Sequence, residues 1–362
     1  MKIAFGYIYG RKERLKNDFY PEEMFYGYHY FLKKYGSVEI IEYGVAKYKI
    51  FIHIEKLIIK VTKLPIHLFH MTSLKNFNLI MKLDYLILTN DRLLFSLLPI
   101  LLIRKLIRNN LNLTVFAMNM LKSEDLQSKN YIKKFILNRA YNLVSNFIFL
   151  GEGESNLAKQ FYKSDEKINF IPFYVDESFW KNKFNPKRNG VLFVGNDSNR
   201  EFNKVVELAN YFKDINFTII SKQLKISDFT GKNVNFISGS WGNQQISDSE
   251  LRKIYTKSKL VIIPLIDSFQ PSGQSVTLQA MATKTPVLIS STKGFWDNKN
   301  FTDYHNIFFN FENTLESWKK KIQELYYNDE LLSNVSNNSF KTIQKSYTKD
   351  SFEKKLAKII GI

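Results

Sequence analysis

The chain has 362 residues, 44% hydrophobic and 24% charged, enough for two domains that each bury a core, and with no cysteine it excludes disulfides and thiolate metal sites. Its net charge of +18 is split evenly between the halves and so is not a basic tail, but residues 43–150 concentrate 16 basic against 5 acidic residues. The longest apolar run, 93–103, is interrupted by Ser96 and Pro99 and is too short to span a bilayer.

Residues 1–5 run directly into a first strand at 3–9, so no N-terminal signal is expected. An aromatic-rich helical pattern follows at 22–35, then a strand at 38–41. Segment 56–64 is amphipathic: Lys56, Lys60 and Lys63 fall on one face, and Leu57, Val61 and Leu64 on another. A buried strand at 85–88 leads to a helix at 93–107 that is expected to kink at Pro99. Strand 113–118, helix 131–142 and strand 146–150 continue a βαβα rhythm, the signature of a doubly wound parallel sheet. The Lys56 stripe and the cluster Arg104, Lys105 and Arg108 read first as solvated faces. Their functional reading is contact with anionic head groups by a helix lying on a membrane. The basic surface also suits a phosphorylated acceptor. No recognition motif accompanies it, so nucleic acid is not an expected partner.

The polar stretch 181–189, with Pro186, reads as a linker. A buried strand at 191–195, a turn, and a helix at 202–211 open the second half. Strands at 217–220 and 234–237 and a helix at 251–258 lead to the most informative stretch, 260–297. Residues 260–265 are a short apolar, β-branched run, and 267–273 carry turn formers. A helix at 275–283 and a strand at 287–289 follow. The loop Gln270-Pro271-Ser272-Gly273-Gln274-Ser275 thus lies at the C-terminal end of a strand and opens a helix. That is where open α/β sheets bind ligands, and free N–H groups at a helix N-terminus suit a phosphate. Residues 301–309, a helix at 315–327 and a last helix at 350–360 finish the chain.

The PSGQSVTLQAMA run, followed by PV, a short strand and TKG, resembles the donor-binding motif of GT-B glycosyltransferases, in particular the retaining family 4. Segment 169–180, NFIPFYVDESFW, is similar to that family's linker segment, with Asp176 and Trp180 in matching places and Tyr174 where glycine is common. The resemblance implies an α/β GT-B fold: two doubly wound Rossmann-like domains facing each other across a cleft. It divides the chain into an acceptor-binding domain at 1–183, a nucleotide-sugar-binding domain at 184–345, and a C-terminal helix at 346–362 packing back on the first domain. It implies transfer of a sugar from a nucleoside-diphosphate-sugar to a hydroxyl of a glycan or lipid-linked acceptor, with retention, in cell-surface polysaccharide or glycoconjugate synthesis. No metal or cofactor is implied, and the expected place is cytoplasmic, peripheral on the inner face of the membrane.

For the donor, Asn196, Arg200, Lys204 and Lys222 are the expected polar and basic residues, and Ser272, Gly273, Gln274, Ser275 and Gln279 the expected loop and helix residues. Arg200 and Lys204 are one helical turn apart, positioned to grip a diphosphate together. Residues 238–245 are expected beside the base. The family usually carries two glutamates where this chain has Pro271 and Gln279. A neutral amide at 279 still accepts a hydrogen bond from ribose, and a glutamate there is expected to bind the donor more tightly. These departures motivate an alternative, a glycosyltransferase-like nucleotide-binding protein without turnover. No general base is identifiable. There is no aspartate-any-aspartate motif of the metal-dependent GT-A kind, no Walker sequence and no nucleophile elbow. Of five histidines only His67 and His70 are close in sequence, and no carboxylate is expected to complete a metal set with them.

Overall fold

The computed structural model describes residues 1–17, 19–44, 49–108, 110–181, 186–239 and 245–362. It contains two compact units: Met1–Asp18 with Met24–Ile171 and Glu353–Ile362, and Phe19–Glu23 with Pro172–Phe352. Part of the sequence linker, including the 183/184 boundary, lies outside the described residues.

In the first unit, strands β1 (Ile3–Tyr7), β2 (Glu39–Glu42), β3 (Tyr85–Leu88), β4 (Asn112–Ala117), β5 (Asn146–Phe149) and β6 (Ile168–Phe170) form one sheet in the order β2-β1-β3-β4-β5-β6. Every pairing is parallel, with Phe5 aligned to both Ile40 and Ile87. Parallel strands need crossovers, and the helices supply them, covering the sheet so that β3 to β5 are apolar almost throughout. The core gathers Leu86, Leu88, Leu94, Leu113, Val115 and Phe147. Side chains of Ser73, Asn90 and Asn130 cap helices Leu74–Ile80, Asp91–Ile107 and Tyr131–Leu143 by accepting a free N–H. Asn112 Nδ2 donates to the Ile360 carbonyl, which ties the end of the last helix, Lys349–Ile360, into this unit.

Helix Asp91–Ile107 runs unbroken through Pro99. Arg104 is not a head-group ligand: it is 1% exposed, and its guanidinium donates to the carbonyls of Ile80, Leu83 and Arg108 and to Asn110 Oδ1, closing a helix end. The amphipathic segment is part of a longer helix, Lys49–Thr62, and its orientation is unusual. Ile50, Ile54, Leu57 and Val61, at i, i+4, i+7 and i+11, are exposed, while Glu55 and Thr62 are buried. Leu64, just past the helix, is buried. No helix among the described residues is long and apolar enough to cross a membrane.

In the second unit, β7 (Val191–Val194), β8 (Phe217–Ile220), β9 (Val234–Ile237), β10 (Leu260–Ile263), β11 (Val287–Ser290) and β12 (Phe308–Asn310) form a second all-parallel sheet ordered β12-β11-β10-β7-β8-β9. Val191, Phe193, Phe217, Ile262 and Leu288 meet Leu208, Trp318 and Ile322 in its core. A helix absent from the sequence reading, Asp329–Ser346, packs on helix Gln274–Ala282. Its Ser and Asn content masked a buried stripe of Leu332, Val335, Ser339 and Ile343.

Candidate functional site

The second sheet reverses direction between β7 and β10. The chain steps outward from β7 to β9, then returns to the other side of β7. The crevice outside the carboxyl ends of strands at such a switch point is where open α/β sheets bind ligands. A cavity lies there, lined by Gly195 and Asn196 after β7, Ile220 ending β8, Ile237 and Gly239 at β9, and Ser275, Val276 and Gln279 of helix Gln274–Ala282. Gln245 also lines it, and residues 240–244 lie outside the described residues.

Gly273 caps that helix at φ +82° and offers no side chain to its free N–H groups. A Cβ at Gly273 would stand 2.9 Å from Ile263 Cγ2 and 3.0 Å from Arg200 Nη1, so conformation and space both demand glycine. Gly195 serves the same guanidinium: a Cβ there would meet Arg200 Nε at 2.7 Å. Arg200 is thus clamped between two glycines beside an uncapped helix N-terminus. It is 5% exposed, and its Nε lies 2.9 Å from Asp197 Oδ2. That contact has ion-pair distance without hydrogen-bond alignment, and Nε and Nη1 are buried with no hydrogen-bond partner among the described residues. Burial pulls the Arg200 pKa down, against the opposing pull of Asp197. Guanidinium donors without hydrogen bonds and a positive helix end beside one cavity are features that suit an anion.

The other expected donor residues divide. Asn196 lines the cavity and ties three strand ends together: its Oδ1 accepts the Lys222 N–H at 2.6 Å, and its Nδ2 donates to the Gly239 carbonyl at 2.9 Å. Ser275 and Gln279 line the cavity. Lys204 does not join Arg200 there. Its ammonium is held by Glu201 Oε2 at 2.8 Å and by the Asn313 carbonyl. Lys222 exposes its side chain at the end of β8 and does not line the cavity. Ser272 accepts from Asn199 Nδ2 at 2.8 Å in the turn before the helix, and Gln274 is buried; neither lines the cavity.

Gln279 is already engaged. Its Oε1 accepts from Tyr255 Oη at 3.3 Å, and its Nε2 donates to Glu23 Oε1 at 3.1 Å. Glu23, 1% exposed, also accepts from Trp180 Nε1 at 2.7 Å and from the Asp176 N–H at 3.1 Å. Burial pushes the Glu23 carboxyl up to about 7, helped by the Asp176 charge and opposed by the hydrogen bonds from Trp180 and Gln279. Asp176 and Trp180, noted in sequence as motif positions, therefore hold a carboxyl group against helix Gln274–Ala282. Glu23 had no sequence signal, because 256 residues separate it from its partner Gln279. Tyr255 is recoverable in hindsight from its inward place on helix Asp248–Lys257.

The first unit has two clusters the sequence reading missed. Asp91 and Glu154 are buried near the end of β4, accepting the Met118 and Asn119 N–H groups at 3.2 and 2.5 Å. Burial pushes them up to about 6 and about 8, and the Asp91 charge further raises Glu154. The second cluster corrects the histidine reading: Glu55 Oε2 lies 3.4 Å from His67 Nδ1 and 3.5 Å from His70 Nε2, so a carboxylate does join the pair.

Two six-stranded parallel sheets, each wrapped in helices, define the GT-B fold of glycosyltransferases. Anabaena HepE, solved with UDP and with UDP-glucose, is similar at TM-score 0.65 and 12% identity, with 100% of this chain covered and 99–100% of that one. Sucrose-phosphate synthase from Thermosynechococcus elongatus is similar at TM-score 0.65 and 12% identity, covering 99% of this chain and 98% of the other. A glycosyltransferase from Rickettsia africae is similar at TM-score 0.63 and 13% identity, with the same coverage. No protein-family model matches the sequence, and no curated protein matches it by sequence.

Proposed function

We propose that the protein is a glycosyltransferase that takes its sugar from a nucleoside-diphosphate donor bound in the second unit. The observation that carries this reading is Arg200, a buried guanidinium with unpaired donors beside the uncapped N-terminus of helix Gln274–Ala282. Such a pair stabilises charge as it develops on a leaving diphosphate, with no reorganisation during the reaction. Uridine nucleotides are the first probes, since Anabaena HepE was solved with UDP and UDP-glucose. Resemblance to family 4 adds retention of configuration, a glycan or lipid-linked hydroxyl as acceptor, and a part in polysaccharide or glycoconjugate synthesis. Arg200 and the helix end do the work of a divalent ion, so excess Mg²⁺ should leave UDP affinity unchanged.

The test is a thermal-shift panel of UDP, GDP, ADP and their sugars, followed by donor turnover. A ligand bound at about 100 times its Kd adds roughly 2.7 kcal/mol to the free energy of unfolding. Stabilisation by one nucleoside diphosphate and by its sugars supports the reading; none with any of them contradicts it. The alternative is nucleotide binding without turnover. It is favoured by Pro271 and by an amide at 279 already held by Tyr255 and Glu23. Slow hydrolysis of the bound donor would decide against it.

The exposed stripe Ile50, Ile54, Leu57 and Val61, flanked by Lys56 and Lys60, supports a peripheral membrane contact in the first unit. Tyr131, Ile132 and Phe135, on the helix packed beside it, are exposed as well.

A further inference from the structure

Helix Lys49–Thr62 is attached by few apolar contacts: Phe51 stacks on Phe69 with ring centroids 4.2 Å apart, and Ile58 packs against the core. Its apolar stripe points outward, so burial of that stripe does not hold it down. Its inner side also buries Glu55, 2% exposed, a carboxylate that needs partners to be stable there. Glu55 Oε1 accepts the Phe69 N–H at 2.7 Å. Glu55 Oε2 faces two imidazole nitrogens, His67 Nδ1 at 3.4 Å and His70 Nε2 at 3.5 Å.

Those two distances are longer than a good hydrogen bond, about 2.7–3.2 Å. They match something else. Zinc binds histidine nitrogen and carboxylate oxygen at about 2.0–2.2 Å, which sets neighbouring ligands of a tetrahedron about 3.3–3.6 Å apart. All three ligand atoms lie within 4.8 Å of one another. The outer contacts suit a metal as well. His70 Nδ1 is 2.8 Å from the Gly44 carbonyl, which can only accept, so Nδ1 carries the proton and Nε2 of the neutral ring presents its lone pair. A lone pair on Nε2 and one on Glu55 Oε2 then face each other, and a cation between them removes the repulsion. The His67 backbone N–H donates to Ser96 Oγ at 2.9 Å, which anchors the main chain there, and the Tyr43 ring packs 5.8 Å from both imidazole centroids. The imidazoles are 29% and 26% exposed, so an ion has access and a water can take the fourth position.

We propose that Glu55, His67 and His70 bind a divalent transition-metal ion, zinc by the chemistry of two imidazoles and one carboxylate. The ion clips helix Lys49–Thr62 to the segment carrying His67 and His70, and so holds the exposed stripe in place from its buried side. The inference stands apart from the donor reading, which concerns other residues.

The experiment is calorimetric titration of chelator-treated, tag-free full-length protein with ZnCl₂, alongside the absorption spectrum with Co²⁺. One ion per chain is expected, with the intense visible bands of four-coordinate cobalt and a rise in melting temperature. His67→Ala and His70→Ala should each weaken binding by at least about 100-fold, more than loss of an outer partner costs. Because His70 is partly exposed, its variant should fold normally, and an unchanged melting temperature of the metal-free form checks this. No zinc binding to the wild type, a weak six-coordinate cobalt spectrum, or full binding in the double histidine variant would each overturn the proposal.

Discussion

Replacing Arg200 by methionine separates binding from folding, because the two effects should have opposite signs. In the free protein Arg200 is 5% exposed, balanced by one ion pair with Asp197, and two of its nitrogens lack hydrogen bonds. Exchanging an imperfectly compensated buried ion for an apolar side chain of similar volume is commonly neutral, or stabilising by about 1–4 kcal/mol. The free Arg200→Met protein should therefore melt at the same temperature as wild type or higher. Nucleotide binding should suffer. A hydrogen bond to a charged group contributes about 1.5–3 kcal/mol, so UDP affinity should fall roughly 10- to 150-fold. Calorimetry with UDP and thermal unfolding of the free protein read the two quantities separately. UDP affinity within about twofold of wild type would remove Arg200 from the site. Loss of affinity with a sharp fall in melting temperature would make Arg200 a structural residue.

Three further outcomes follow from the same geometry. In Gln279→Glu the new carboxylate would stand beside Glu23, so the variant should be less stable than wild type, and more so at pH 8 than at pH 6, because one of the two groups must keep its proton. A melting temperature equal to wild type at both pH values would refute this. Glu154 is held at about 8 against an ordinary 4.5, so the folded state binds the extra proton, and its contribution to stability falls as pH rises from about 4.5 to 8. Glu154→Gln should flatten that decline, by at most about 5 kcal/mol, read by hydrogen exchange of peptides covering 112–119, since all four tryptophans lie beyond residue 179. Vesicle binding should fall with rising salt, and replacing Lys56, Lys60 and Lys63 by glutamine should lose about 1 kcal/mol per lysine on anionic vesicles; equal co-sedimentation on neutral and anionic vesicles would refute it.

What was legible in the sequence was what local pattern controls. Strands buried on both faces, such as Leu260–Ile263 and Tyr85–Leu88, announce themselves as apolar runs, and the turn chemistry around Gly273 marks where one helix begins. Arg200 was legible because it closely follows a strand end in a switch-point turn. What failed was partner choice. Arg200 and Lys204 have the same spacing on paper as any charged pair, but Glu201 and the Asn313 carbonyl capture Lys204. Glu23 next to Gln279 and Glu55 next to His70 are long-range meetings that no period or motif encodes. Segment 56–64 was read as amphipathic, but its helix begins at Lys49, and amphipathicity alone does not say which face meets the core.

The donor site is tested most directly by hydrogen–deuterium exchange with and without UDP. The N–H groups at the start of helix Gln274–Ala282 and the backbone around Gly195 to Arg200 face the proposed diphosphate. Binding should slow exchange in peptides covering 195–200 and 273–279, and at a UDP concentration near the wild-type Kd, Arg200→Met should remove most of that protection. Unaltered exchange in both peptides with UDP, GDP and ADP at saturating concentration would contradict the assignment of this crevice as a nucleoside-diphosphate site.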